Sequence, residues 1–365
     1  MKKIAIVTIT DYLNIGNRLQ NLAVQYVLKK RYNCKIKTIQ NFGANLGFKH
    51  NCSKSFFLKQ KLKYYIKVCL GLIKSKYRIF TKFYKFNRNI KISNFYFYKK
   101  TNYRKLDNSF DYFITGSDQV WNPVFFEECL YNNFLMFTSK EKKITFAPSV
   151  SVDYVPDKVE EEFKKNINTF NRIFIREKTT LPLVKKYTKN HVDWVFDPTL
   201  FLSKEEWLKF SNKKLNKEKF ILCYFLGEIL NEMQKEIKLF AKNRNLDIIN
   251  VNNLSNDKNT KFSPDEFISL INKADYVFTD SFHGAVFSFI FEKKFIIYNR
   301  LGKINLNSRI DSLVQELEID FVKRQSCLRI EDIDKVEYNF SKGKINLEQN
   351  KQRYFRYLDS LILKK

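Results

Sequence analysis

Asp280-Ser281-Phe282-His283-Gly284 is the densest group of reactive side chains in this sequence. It lies between an aromatic and β-branched run, Tyr276–Thr279, and a segment that reads as a helix from about Gly284. An imidazole at such a strand-to-helix turn can pass a proton or bind an anion, and Asp280 can orient it. The bland alternative is a buried His satisfied by its own loop. The chain has 3 His, and His50 and His191 lack a comparable setting.

Three other strand ends carry polar side chains. Asp11 to Asn21 contains Asn14, Gly16, Asn17 and Gln20 between a first apolar run, Ile4–Ile9, and a helical spacing of Leu19, Leu22, Ala23, Tyr26 and Val27. Backbone N–H groups at such a turn favour an anion or a polar ligand, although one Gly is too few for a dinucleotide or Walker loop. A capped polar turn is the competing reading. Gly116-Ser117-Asp118-Gln119-Val120-Trp121 follows the run Asp111–Thr115. Its Ser and Asp can cap a helix or bond a sugar hydroxyl, and Trp121 can lie on a sugar face or in the core. Arg176-Glu177-Lys178 follows Arg172–Ile175. There the Arg can grip a carboxylate or phosphate in bidentate fashion, or belong to a surface charge triplet.

The elements that must position these groups alternate. Cys34–Ile39, Lys143–Ala147 and Val192–Phe196 read as further strands in the first half. Phe220–Phe225, Leu246–Val251 and Phe295–Tyr298 do so in the second, with helices at 229–243, after Ser263-Pro264 and at 346–363. Strand–helix alternation implies parallel sheets covered on both faces. The expected fold class is α/β with two Rossmann-like lobes, residues 1–195 and 196–345, and a C-terminal helix, 346–365, packing back on the first. Ligands of such sheets are expected at the carboxyl ends of the strands, in the cleft between lobes.

Composition supports a folded chain. Of 365 residues 44% are hydrophobic, with 9 Gly and 6 Pro. The formal charge is +28, and residues 12–106 supply 23 Lys or Arg without one acidic residue. Such a block asks for a polyanionic partner: nucleic acid, an anionic membrane surface or a phosphorylated small molecule. Lys interleaved with Phe and Tyr over 54–106 suits an interfacial helical insertion on anionic lipid, or a solvated helical pair with aromatic cores. No nucleic-acid motif accompanies it. The 6 Cys, at 34, 52, 69, 129, 223 and 327, have no paired metal-ligand spacing. Neither a metal nor a cofactor is expected. The first residues read as a buried strand and not as a signal peptide, and no run reaches the roughly 20 apolar residues of a membrane helix. A cytoplasmic protein is expected.

Read in order, several short motifs resemble the polysaccharide pyruvyl transferase family. They are Asn14-Ile15-Gly16-Asn17-Arg18-Leu19-Gln20-Asn21, Gly116 to Asn122, Phe146-Ala147-Pro148-Ser149-Val150, Arg176-Glu177-Lys178, Asp197-Pro198-Thr199-Leu200, Phe282-His283-Gly284 and Asn307-Ser308-Arg309-Ile310-Asp311. The resemblance spans about residues 3–325. It implies a fold similar to the B-type glycosyltransferases, phosphoenolpyruvate as donor, and a sugar with two free hydroxyls as acceptor. Members of the family often carry an Arg two residues before the His of the His-Gly motif; here that position is Ser281. With the resemblance, His283, Asp118 and Asp280 become the catalytic candidates. Arg176, Ser281, Gly284, Arg300 and Arg309 become donor-binding candidates. Asn14, Gly16, Asn17, Gln20, Gln119 and Trp121 become acceptor-binding candidates. Acceptors of this class are often lipid-linked oligosaccharides, which gives the basic stretch 54–106 a use at the inner face of a membrane. A glycosyltransferase with a nucleotide-sugar donor and a non-enzymatic basic module binding membrane or nucleic acid are the alternatives.

Overall fold

A computed structural model describes residues 1–11, 13–40, 74–97, 101–125, 130–215, 217–251, 262–300, 308–319 and 330–363, together with Leu62, Ile66 and Val322. The chain forms two compact units: Met1–Phe201 with Asn350–Lys365, and Leu202–Gln349.

Unit 1 runs β1 (Lys3–Val7), α1 (Ile15–Tyr32), β2 (Lys35–Gln40), α2 (Lys74–Asn87), β3 (Ile92–Tyr96), α3 (Tyr103–Asp107), β4 (Tyr112–Thr115), α4 (Leu130–Asn133), β5 (Lys143–Thr145), α5 (Asp157–Ile167), β6 (Arg172–Ile175), α6 (Leu181–Tyr187) and β7 (His191–Trp194). Five strands form a parallel sheet in the order β3-β2-β1-β4-β5, and β6 pairs with β7. Ile4, Ala5, Ile6 and Val7 are fully buried, as a strand covered on both faces requires. Asn14 caps α1 by accepting the Asn17 N–H at 3.1 Å. Lys29, Lys30 and Arg31 occupy its last turn, where cations suit the helix dipole, and Asn33 ends it in the left-handed region.

The helical insertion expected over 54–106 needs correction. Ile92–Tyr96 is a strand, β3, and forms the edge of the main sheet next to β2. Its order Ile-Ser-Asn-Phe-Tyr does not alternate apolar with polar, and the buried position is Ser93, so periodicity does not mark it as a strand. Residues 54–61, 63–65, 67–73 and 98–100 lie outside the described residues.

Unit 2 runs α7 (Lys204–Leu208), β8 (Phe220–Tyr224), α8 (Asn231–Asn243), β9 (Asp247–Asn250), α9 (Pro264–Lys273), β10 (Tyr276–Thr279), α10 (Phe282–Ile290), β11 (Lys294–Ile297) and α11 (Ser308–Glu316). Its parallel sheet has the order β11-β10-β8-β9. Ser263 and Glu266 form a capping box at α9, with Pro264 at the first helical position. One face of the sheet packs Ile221, Phe240, Phe278 and Ile296 into a common core.

The last helix, α12 (Ser341–Ile362), begins in unit 2 and from Asn350 belongs to unit 1. There Tyr354 is fully buried and donates to the Thr145 carbonyl at 2.7 Å, while the Asp359 carboxylate binds Arg31 and Tyr32 on α1.

Both sheets contain a point where the strand order reverses: between β1 and β4 in unit 1, and between β8 and β10 in unit 2. In open parallel sheets ligands bind at the carboxyl side of such points, because neighbouring loops there diverge and leave a crevice.

Candidate active site

At the unit 1 switch point the loop after β4 carries the site. Gly116 sits at φ +108, and a Cβ there would come within 2.3 Å of the Phe146 carbonyl oxygen. Only glycine fits. Asp118 (φ 72), Ala147 (φ 54) and Ser151 (φ 63) also occupy the left-handed region close by. Such strained non-glycine backbones persist where the surroundings over-determine them, and they cluster at functional sites.

Asp118 faces across the switch point. Its carboxylate accepts from the side-chain amide of Asn17, on the first turn of α1, and from the Gln119 N–H at 2.9 Å. Behind it lies a buried ion cluster. The Arg176 guanidinium meets Glu177 at 2.9 Å, Asp197 at 3.1 Å and Asp118 at 3.9 Å. Asp197 also accepts from the Thr199 N–H (3.0 Å), the Thr199 hydroxyl (2.7 Å) and the Ser117 hydroxyl (2.8 Å). Burial opposes the charge on Arg176, yet the three carboxylates outweigh it and hold its pKa above the ordinary value.

This changes the reading of several residues. Arg176 was expected to bind the donor, but three carboxylates already ring it, so the cluster as a whole repels anions. It is suited to bracing Asp118 and Asp197. Gln20 and Trp121 were expected to touch the acceptor, and both are fully buried. Gln20 donates to the Thr8 hydroxyl at 2.9 Å, and Trp121 stacks on Phe134 with centroids 4.5 Å apart. Neither side chain has surface to offer. Gly16 is buried in the first turn of α1, Asn14 is exposed at its cap, and half-buried Gln119 accepts from Asn122 at 3.1 Å. Asp197, Glu177 and Ser117 were absent from the candidate list. An acid directly after the strand-like run Val192–Phe196, before Pro198 and Thr199, was the available signal for Asp197.

At the unit 2 switch point Asp280 accepts the backbone N–H of Leu226 at 2.6 Å and of Gly227 at 2.8 Å, tying the loops after β8 and β10 together. Arg300, just past β11, pairs with the same carboxylate at 3.4 Å and donates to the Asp280 carbonyl at 3.0 Å. Asp280 was expected to work as a base or to orient His283. With its oxygens engaged by two amides and Arg300, it is a brace between loops. Ser281 caps α10 by accepting the Gly284 N–H at 3.4 Å. A Cβ on Gly284 would lie 2.1 Å from the Thr279 hydroxyl, so glycine lets α10 start directly against the end of β10. His283 lies in the first turn of α10, 8% exposed, edge-on to Phe282. Arg309 is nearly buried near the start of α11. His191 instead contacts Arg172 across the β6–β7 register at 3.0 Å. Among the described residues no group of His, Cys, Asp and Glu could hold a metal ion. No described helix is long and apolar enough to cross a membrane.

Two parallel sheets, each with polar side chains gathered at its switch point, define a two-lobed α/β enzyme. The sequence profile of the polysaccharide pyruvyl transferase family matches residues 14–301, and the chain belongs to that family. It is therefore a transferase with a role in pyruvyl transfer in polysaccharide synthesis. No curated protein matches the sequence. Among solved structures, MnaA of Staphylococcus aureus, in a UDP co-structure, aligns at a TM-score of 0.50 and 11% identity over 100% of this chain and 99% of that one. The UDP-GlcNAc 2-epimerase of Methanocaldococcus jannaschii aligns at 0.49 and 12% identity over 98% and 100%. A putative UDP-N-acetylglucosamine 2-epimerase of Listeria monocytogenes aligns at 0.49 and 9% over 99% and 98%. The fold is α/β with two Rossmann-like lobes, similar to the B-type glycosyltransferases.

Proposed function

We propose that this transferase moves the enolpyruvyl group of phosphoenolpyruvate onto a sugar of a lipid-linked polysaccharide precursor and closes it into a pyruvate ketal. One observation carries the reading: His283 lies in the first turn of α10, at a switch point whose loops are locked by Asp280 and flanked by Arg300. A small dianion suits such a place. The first N–H groups of α10 and the cations Arg300 and Arg309 offer it hydrogen bonds and charge. Ser281 replaces the Arg that the family often has, and Arg300 supplies a cation to the same loop from the adjacent strand.

The chemistry follows from the donor. His283 protonates the methylene carbon, which makes the enol carbon electrophilic. A sugar hydroxyl adds there and releases its proton to the departing phosphate. The C–O bond to phosphate breaks, and a second hydroxyl of the same sugar closes the ketal. One released proton restores His283 and the other leaves with phosphate. Within unit 1, Asp118 is a catalytic candidate in its own right, positioned by a direct hydrogen bond from Asn17 and by Arg176 of the buried cluster. The basic stretch 54–106 would hold the enzyme on anionic lipid beside its acceptor.

Incubation with phosphoenolpyruvate and candidate lipid-linked glycans, read by mass spectrometry, tests the reaction. A gain of pyruvate minus water with matching phosphate release is expected. Thermal stabilisation by nucleotide sugars, with none by phosphoenolpyruvate, would refute the donor.

A further inference from the structure

At the amino end of the unit 1 strands, opposite the switch-point loops, lies a second concave site. It is a groove of about 240 Å³ whose lining includes Lys3, Lys35, Lys37, Ser93, Phe95 and Phe110. Lys3 and Lys35 are direct register partners on β1 and β2, and Lys37 follows two residues on, on the same face. All three are exposed. Like charges placed side by side across a ladder repel. A parallel sheet ordinarily places apolar residues on a face covered by helices. Three lysines here therefore call for an outside counter-charge.

Among its described residues the chain supplies only part of that charge. Lys3, Lys35 and Lys37 form no ion pair there. Asp111 lies at the groove, where its carboxylate accepts the Lys3 backbone N–H at 2.6 Å, so one acid stands against three lysines; Asp107 binds Lys142 and Thr138. Phe95 and Phe110, edge to face at 6.2 Å, form an apolar wall that lowers the local dielectric. The volume lies below the roughly 300–1,000 Å³ of sites for drug-sized ligands, which favours a small anion over a nucleotide. Lys3 and Val7, at opposite ends of β1, are on the order of 13 Å apart, so this groove is separate from the candidate catalytic loops.

We propose that this groove binds a phosphate or diphosphate group, presented by a soluble metabolite or by a lipid headgroup. The proposal stands whether or not the transferase reading does. Acetylation footprinting of the full chain, quantified lysine by lysine, tests it without any turnover. The probes are pyrophosphate, vesicles of phosphatidylcholine with phosphatidylglycerol, and vesicles of phosphatidylcholine alone. At ten times the dissociation constant about one tenth of the sites are free, so Lys3, Lys35 and Lys37 are expected to react about tenfold more slowly. Exposed Lys164 and Lys238 serve as unprotected references. Protection by pyrophosphate identifies a soluble source, protection by phosphatidylglycerol vesicles alone identifies a headgroup, and either supports the site. In both cases protection fades as salt shortens the screening length to roughly 3 Å near 1 M. In the Lys35→Gln/Lys37→Gln variant, Lys3 should lose its protection. Absence of protection by every probe, equal protection of all lysines, or protection of Lys3 that survives the double substitution would overturn the proposal.

Discussion

Replacing Arg176 by Met separates a structural brace from a donor clamp. In the folded chain the guanidinium is 2% exposed and lies within salt-bridge reach of three carboxylates, two of them at most 1% exposed. Removing it leaves Glu177, Asp197 and Asp118 without their shared counter-charge. Breaking a buried ion pair in this way costs about 3–5 kcal/mol. At roughly 2–4 °C per kcal/mol for a unit of this size, the melting temperature should fall by about 6–20 °C. Donor KM should stay near that of the parent in the fraction that remains folded, because Arg176 faces carboxylates and not the donor. Adding Glu177→Gln and Asp197→Asn should restore part of the loss, since the unpaired charges are then gone. Differential scanning fluorimetry and denaturant titration give the stability, and phosphate-release kinetics give KM. A variant that melts within about 1 °C of the parent, less than 0.5 kcal/mol on the same scale, while donor KM rises would refute the brace and restore Arg176 to the donor site.

His283→Ala should lower kcat by about 10²–10⁴ with little change in melting temperature, and near-parental turnover would remove His283 from the acid role. Asp118→Asn should cut kcat while keeping the Asn17 contact as a neutral pair; unchanged kcat would remove Asp118 from the catalytic candidates. Gly284→Ala drives a methyl into the Thr279 hydroxyl, and overpacking of this kind costs about 1–3 kcal/mol. Thr279→Ala in the same chain should recover part of that loss in a melting experiment, and no recovery would place the clash elsewhere. Burial pushes the Lys143 ammonium down to about 8, between the Phe134 carbonyl, the Thr169 hydroxyl and the Phe170 ring. The folded pKa lies below the unfolded one, so the unfolded chain binds more protons between about 8 and 10.5. The charged lysine therefore destabilises the fold by up to about 3 kcal/mol below pH 8, and this penalty disappears as pH rises to 10.5. Lys143→Met should raise the melting temperature at pH 7 and give a smaller gain at pH 10; an equal gain at both would refute the linkage.

Local patterns in the sequence determined a good deal. The β-branched and aromatic runs at Arg172–Ile175 and Tyr276–Thr279 are the strands β6 and β10, and Ser263-Pro264-Asp265-Glu266 caps α9. Each signal lies within a few residues of chain, so local sterics and capping chemistry express it without long-range partners. The ordered motifs likewise gave the family, because they mark the loops that follow successive strands. Tertiary structure alone decided which side chains in those loops face solvent. Trp121 and Gln20 have the chemistry of a sugar site, but their burial is set by Phe134 and Thr8, which approach only when the sheet has formed. Arg176 reads as a free cation beside its own Glu177, and its other partners, Asp118 and Asp197, come from loops 58 and 21 residues away. β3 was hidden for the same reason: an edge strand in a basic aromatic stretch is recognised by the neighbour it pairs with, and that neighbour, β2, is distant in the chain. Charge and hydrogen-bond partners at a site depend on pairings across the sheet, and a local pattern carries no record of them.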